Sequence, residues 1–313
     1  MLLILLYYLL MASTFTFAKT AVFYMKPIFF IGIRMTIAGA FLLSYIHFFK
    51  KKTIIFTVKD IKLFSLIIIF HIYCAYIFEF VALQYLTSSK VALLYNLSPF
   101  ITGLLYYICY AQQLSYSKWI AMAMGFVSML PVLFYASNTE LLFSFSSFSF
   151  AELLLLFAIG SAAFGWLIMK ELVIERHYNT FFVNGIGMFF GGVAALITAL
   201  FFEGTQPFLW DKTPVDTVGK LLIPYLNNTT LVLLMTSICM GILIILSNLI
   251  AYNLYGYLLR HYTPTFLSFA GFITPFFASI FGWFFLSERL NVPFFISLMG
   301  TIISLYYYYK QEE

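Results

Sequence analysis

Charge is what this sequence has least of. Only 9% of its 313 residues are Asp, Glu, Lys or Arg, against 63% hydrophobic ones, and the mean hydropathy is +0.97. No soluble domain can hide that much apolar surface, so the chain reads as a polytopic, all-α membrane protein. Cysteine is scarce as well. Cys74, Cys109 and Cys239 fall in separate apolar stretches with no paired spacing, which excludes a disulfide or Cys-based metal framework. None of His47, His71, His177 or His261 has an aspartate five residues on, and neither His-Glu-x-x-His nor Asp-x-Asp occurs. No stretch outside the apolar segments is long enough for a catalytic domain, so a membrane-embedded enzyme is disfavoured and neither metal nor cofactor is expected. The net charge of +5 needs no nucleic-acid partner, since lysines in cytoplasmic loops produce it.

What the chain does have is apolar length. About ten membrane-length segments follow one another, near 1–19, 28–48, 62–84, 89–110, 117–136, 150–170, 179–202, 230–257, 263–286 and 293–309. The first lacks a basic leader and an Ala-x-Ala cleavage pattern, so it reads as a retained helix and not a signal peptide. With the N-terminus inside, cytoplasmic positions hold ten Lys and Arg residues and the opposite side six. The cytoplasmic excess includes the run 50–52, in a short loop where the rule is strongest. The expectation is an integral protein of a bacterial inner membrane with both termini cytoplasmic, as a monomer or homodimer whose partners are the bilayer and a small solute.

A repeated break organises the chain. Pro99, in the run Ser98-Pro99-Phe100, removes a backbone hydrogen bond deep inside the fourth segment, so that helix must bend or open. A shift of 176 residues places Thr274-Pro275-Phe276 on it, Thr263 on Thr87 and Leu290 on Leu114. Matching interrupted helices in two halves are the best sequence pointer to a transporter's substrate site. Five segments per half, an odd number, would turn the second half upside down relative to the first. The expected division is 1–138 and 139–313, two inverted five-helix repeats, with an external insertion near 203–228. Gly32, Thr36, Gly39, Gly187, Gly191 and Gly192 are expected to let helices pack closely.

These residues resemble a known family. Phe15-Thr16-Phe17-Ala18-Lys19 leading to Pro27 and Arg34-Met35, then Ala82-Leu83-Gln84-Tyr85-Leu86-Thr87-Ser88 leading to Leu97-Ser98-Pro99, is similar to the ten-helix EamA-type branch of the drug/metabolite transporter superfamily. So is Thr274-Pro275 leading to Leu286-Ser287-Glu288-Arg289-Leu290. The first half departs from the pattern, with Gln112-Gln113-Leu114 where the second has its acidic element. The resemblance implies an alternating-access carrier whose central cavity is lined mainly by helices 1, 3, 4, 6, 8 and 9.

Candidate substrate-binding residues follow from charge and polarity at depth. Arg34 lies roughly 10 Å into its span at 1.5 Å per residue, where a charge is costly unless paired or facing water. Glu79 is the one carboxylate deep in a segment. On an α-helix it shares a face with His71 and Ala75, beside Tyr76. Glu79 can pair with Arg34, take up a driving proton, or neutralise a cationic group of the solute; the three readings stay open. Tyr95, Asn96 and Ser98 flank the first break and Phe272 and Thr274 the second. Asn248, Tyr252 and Asn253 give helix 8 a polar stripe, and Trp166 is a cavity-wall candidate in helix 6. Pro99 and Pro275 are assigned as structural breaks. Amides and hydroxyls suit a small polar or zwitterionic solute. Within the resemblance, S-adenosylmethionine carriers of intracellular bacteria fit one carboxylate among many aromatics, because aromatic faces attract a sulfonium. An amino-acid-like solute, and amino-acid or drug export, are the alternatives.

Overall fold

The structure, a computed structural model, describes residues 2–49, 57–86, 91, 94–136, 149–210, 228–286 and 292–311. The basic run 50–52, the Thr87-Ser88 pair, Lys90, most of the insertion and the Ser287-Glu288-Arg289-Leu290 stretch lie outside these. Helices α1 (Leu2–Tyr24) and α2 (Pro27–Phe49) come first. Next, α3 (Val58–Leu66), a π-wound segment (Ile67–Cys74) and α4 (Ala75–Leu83) run on as one continuous helix. Then follow α5 (Ser98–Tyr110), α6 (Tyr116–Ala136), and α7 (Phe150–Lys170) extended by a π-wound turn (Glu171–Glu175). After α8 (Thr180–Phe202), a second long helix is built as α9 (Asn228–Leu243), a π-wound segment (Ile244–Ala251) and α10 (Tyr252–Leu258). The chain ends with α11 (Pro264–Ala270), a 3₁₀ turn (Gly271–Ile273), α12 (Thr274–Leu286) and α13 (Val292–Tyr309). Among the described residues there is no strand, only one antiparallel bridge between Met25 and Phe208.

Seven of the described helices are long and apolar enough to cross a bilayer, and Leu2–Thr14 is a shorter apolar helix. Large apolar side chains point outward all along them. Phe41, Ile108, Val127, Phe201 and Met299 are each at least half exposed. A face of that size exposed to water would aggregate, whereas against lipid it costs nothing. The first helix packs into the core, where Ile4, Tyr7 and Tyr8 are buried.

With hydrocarbon outside, helices gain little from hiding apolar area and must associate by close fit. The tightest fit joins α2 to α8. A Cβ added at Gly39 would lie 2.3 Å from the Phe189 backbone nitrogen, and one at Gly192 2.5 Å from that of Thr36. Only glycine allows the two backbones this close. Elsewhere α6 packs on α13, α5 on α11, α4 and its π-wound segment on α7, and α1 on α9 and α12.

The helix ends are held by side chains. Thr57 with Asp60, and Ser149 with Glu152, form capping boxes at the starts of α3 and α7. The carboxylate of Glu203, just past α8, accepts from the backbone N–H of Ile28 (3.0 Å) and Phe29 (2.9 Å), capping α2 from another helix. Asp60 also meets Arg176 at 3.7 Å and accepts from the Tyr178 hydroxyl at 3.1 Å, which ties α3 to the turn before α8. The two prolines sit alike. Pro99 lies in the first turn of α5 after a turn at Asn96 and Leu97, and Pro275 in the first turn of α12 after the 3₁₀ turn. At a helix start the missing N–H has no partner to lose.

Candidate functional site

A cluster of aromatic rings fills the centre of the helix assembly, and Trp166 of α7 is its hub. The helix carrying it comes close because residue 165 is glycine: a Cβ there would lie 2.3 Å from the His71 Cβ. His71 meets the Trp166 ring edge-on at 4.2 Å between centroids. On its other side Trp166 lies against Tyr255 at 4.0 Å and Tyr252 at 5.2 Å. Tyr7 of α1 closes on Tyr255 at 5.0 Å. Tyr252 and Tyr76 stack with ring centroids 6.4 Å apart, and their hydroxyls hydrogen-bond to each other.

Charge enters at one edge of this cluster. Arg34 is 3% exposed, and its guanidinium carbon stands 5.3 Å from the Tyr76 ring centroid and 5.5 Å from that of Phe30. It is a hydrogen-bond partner of the Tyr76 hydroxyl, while its buried Nε has none. Glu79 lies three residues beyond Tyr76 on α4. The Tyr95 hydroxyl is a hydrogen-bond partner of its carboxylate, on which the Arg34 charge also acts. One cation and one anion thus share an aromatic wall. The wall's faces and Glu79 suit a solute's cationic groups, and Arg34 suits its carboxylate. Among the described residues no group of three His, Cys, Asp or Glu could hold a metal ion.

The structure therefore brings together Arg34, Tyr76, Glu79, Tyr95, Trp166 and Tyr252 from the sequence candidates. Others are engaged elsewhere. Ser98 shares a hydrogen bond with Ser268 at 2.8 Å, joining α5 to α11. Asn248 is fully buried with its amide nitrogen 3.0 Å from the Met35 sulfur, at the contact between the second π-wound segment and α2. Asn253 donates to the Leu249 carbonyl (2.8 Å) and accepts from Asn184 (3.0 Å). Phe272 is buried against Phe269 at 5.1 Å, and Thr274 is half-buried at the start of α12. Asn96 is buried beside Tyr95 with its amide nitrogen unpartnered.

Two π-wound segments explain why the expected polar stripes divide. Wider winding moves a residue off the face that i, i+4 counting assigns it. His71 lies in the first segment and Asn248 in the second, so His71 turns to Trp166 while Asn248 turns away from Tyr252. Sequence reading passed over Tyr7, Phe30 and Tyr255. For Tyr255 a signal existed: the 176-residue shift carries Glu79 onto it, as it carries Tyr76 onto Tyr252.

The profile of the EamA-like transporter family matches residues 1–134 and 149–309. An S-adenosylmethionine/S-adenosylhomocysteine transporter of Chlamydia muridarum is 28% identical over 301 residues, covering 96% of this chain and 88% of that protein. Transporters of the same description from Chlamydia trachomatis serovars L2 and D are each 28% identical over 302 residues, covering 96% of this chain and 86% of theirs. A solved crystal structure superposes with a TM-score of 0.69 at 14% identity, covering 97% of this chain and 94% of that one, which is a likeness of fold alone.

Proposed function

Because the chain belongs to the EamA-like transporter family, we propose that it carries S-adenosylmethionine-type solutes across a bacterial inner membrane by alternating access, in exchange for the demethylated thioether. The observation that carries the reading is the central wall of Trp166, Tyr252, Tyr255 and Tyr76 with Arg34 and Glu79 at its edge. S-adenosylmethionine presents an adenine, a sulfonium, an ammonium and a carboxylate. Trp166 and Tyr255 offer faces for the first two, Glu79 a partner for the ammonium and Arg34 one for the carboxylate. Each good cation–aromatic contact contributes about 0.5–2 kcal/mol once water is displaced. The thioether product keeps the adenine and the amino-acid head but not the sulfonium charge, so one site can take both.

The carrier architecture we favour is ten helices in two inverted five-helix repeats. Helix pairing supports it. Under a five-helix shift, the contact of the third helical run (α3–α4) with α7 has its counterpart in that of the eighth (α9–α10) with α1. Likewise the contact of α5 with α7 has its counterpart in that of α12 with α1. The pairs α2 with α8, α6 with α13 and α5 with α11 map onto themselves. Lys118, Lys170 and Arg260 line one cavity at one end of the bundle, which supports placing them on one side of the membrane.

Counterflow tests the function. Proteoliposomes loaded with unlabelled S-adenosylhomocysteine should accumulate labelled S-adenosylmethionine faster than empty ones. Accumulation of amino acids with no response to either nucleoside would overturn the substrate and leave a family amino-acid carrier.

A further inference from the structure

Two side chains of the central wall carry a buried polar group without a close hydrogen-bond partner among the described residues: Arg34 at Nε and His71 at its imidazole. A polar group buried that way costs free energy until something pairs with it. The solute's carboxylate would satisfy Arg34, but its amino-acid head leaves His71 without a partner. His71 is 1% exposed and sits edge-on against Trp166, with the Tyr252 ring 5.5 Å away.

The orientation of the imidazole decides what it can take. Its Nδ1 is turned to α7, 2.5 Å from where a Cβ on Gly165 would stand, and the Ala162 carbonyl of the same helix is the ring's loose backbone partner. In a neutral imidazole the nitrogen facing a carbonyl carries the hydrogen, and the other is then an acceptor. That acceptor is Nε2, buried beside the Trp166 and Tyr252 rings. Position narrows the donor. In the transport reading, Glu79 and Arg34 hold the amino-acid end of the solute. His71 precedes Glu79 by eight residues on one continuous helix, at most about 12 Å of rise. An extended S-adenosyl amino acid bridges that distance between its ammonium and the exocyclic amine of its purine. With the ammonium at Glu79, the donor that arrives at Nε2 is the purine amine.

We propose that His71 is a specificity-determining residue of the central site, its Nε2 accepting from the 6-amino group of a purine stacked on Trp166. This rests on the transport reading above and adds which base is admitted. A 6-oxo purine brings a carbonyl to the same nitrogen, where two acceptors meet, and the N1–H it gains lies to one side of the amine's position. The imidazole can turn donor there only by giving up the Ala162 carbonyl. A site built to hydrogen-bond one group rejects the analogue lacking it far more strongly than an apolar pocket rejects a change of size.

The test is equilibrium binding of S-adenosylhomocysteine and S-inosylhomocysteine, by titration calorimetry on the purified full chain in phosphatidylcholine nanodiscs. The unchanged chain should prefer the amine by roughly 10- to 100-fold, the scale of one buried acceptor left unpaired. His71→Gln, whose amide turns to accept or to donate, should bind both ligands within about three-fold of each other. His71→Leu should weaken S-adenosylhomocysteine and erase the preference. A purely structural imidazole would shift both affinities together and leave their ratio alone. A preference that survives His71→Gln would overturn the assignment, and this holds even where His71→Leu fails to fold. If S-adenosylhomocysteine binds the unchanged chain with no preference for its amine, His71 alone loses its role. If neither nucleoside binds, the transport reading falls and this assignment with it.

Discussion

The hydroxyls of Tyr76 and Tyr252 hydrogen-bond to each other, and the two residues are 176 positions apart, the same offset that separates Pro99 from Pro275. In the proposed inverted-repeat architecture, a residue that touches its own repeat partner lies near the axis relating the repeats. Such a contact can be kept when the two halves exchange conformations, since each side sees an equivalent partner. The pair is thus placed to act as a pivot as well as part of the cavity wall.

That placement predicts symmetric behaviour. Tyr76→Phe strands the Tyr252 hydroxyl, and Tyr252→Phe takes from the Tyr76 hydroxyl one of its two partners, at up to about 1–3 kcal/mol for a buried group. Each should slow counterflow by roughly ten-fold. The double change removes both groups and should be no worse than either single one, a coupling that a double-mutant cycle of initial rates measures. Additive losses would place the hydroxyls in separate roles.

The second prediction concerns charge discrimination at Trp166. If its face holds the sulfonium, Trp166→Leu should weaken binding of S-adenosylmethionine by roughly 2- to 30-fold beyond its effect on the neutral thioether, from about 0.5–2 kcal/mol of cation–π attraction. Trp166→Phe should keep part of the preference. Competition binding on purified protein with both ligands gives the ratio, and an unchanged ratio in Trp166→Leu would remove the sulfonium from this face.

Much of this assembly was legible in the sequence because membrane helices announce themselves by length and by breaks. The segment near 117–136 is observed as Tyr116–Ala136 and the one near 179–202 as Thr180–Phe202. Arg34, Tyr76, Glu79, Trp166 and Tyr252, which the structure brings together, stood out because a polar or aromatic group at depth carries a cost that needs a reason. What stayed hidden was rotation. Counting at 3.6 residues per turn cannot foresee the π-wound segments Ile67–Cys74 and Ile244–Ala251, so it put Asn248 in the wall where the chain packs it against Met35. Tyr7 was invisible for another reason: no charge or break beside it in the sequence marks it, and it reaches the cluster only through tertiary packing.

A third prediction tests the backbone contact between α2 and α8. Gly39→Ala places a methyl group against the Phe189 backbone, which has no side chain to move aside. Overpacking of this kind costs about 1–3 kcal/mol or more. The variant should lose several degrees of thermal stability, read by fluorescence-detected size exclusion after heating. Gly241→Ala, where an added Cβ meets nothing within 4 Å, should not. Equal stability of the two variants would mean that the helices do not approach this closely.

The last prediction separates the roles of Arg34 and Glu79. Arg34 is buried, Glu79 is part-buried, and the Arg34 charge acts on the Glu79 carboxylate, so deleting the cation leaves that carboxylate uncompensated. Losing one partner of a buried pair costs about 3–5 kcal/mol. Arg34→Ala should therefore yield little folded protein, and adding Glu79→Gln to it should restore part of that yield, because the stranded charge is gone. Glu79→Gln alone keeps a carbonyl able to accept from Tyr95 and should fold. If Glu79 serves the solute's ammonium, that single variant should bind both the sulfonium and the thioether ligand about ten-fold more weakly, since each carries the same amino-acid head. The Trp166 variants, by contrast, should separate the two ligands. A Glu79→Gln protein that folds normally and binds both ligands as before would make Glu79 a structural counter-charge to Arg34 and leave recognition of the ammonium to another group.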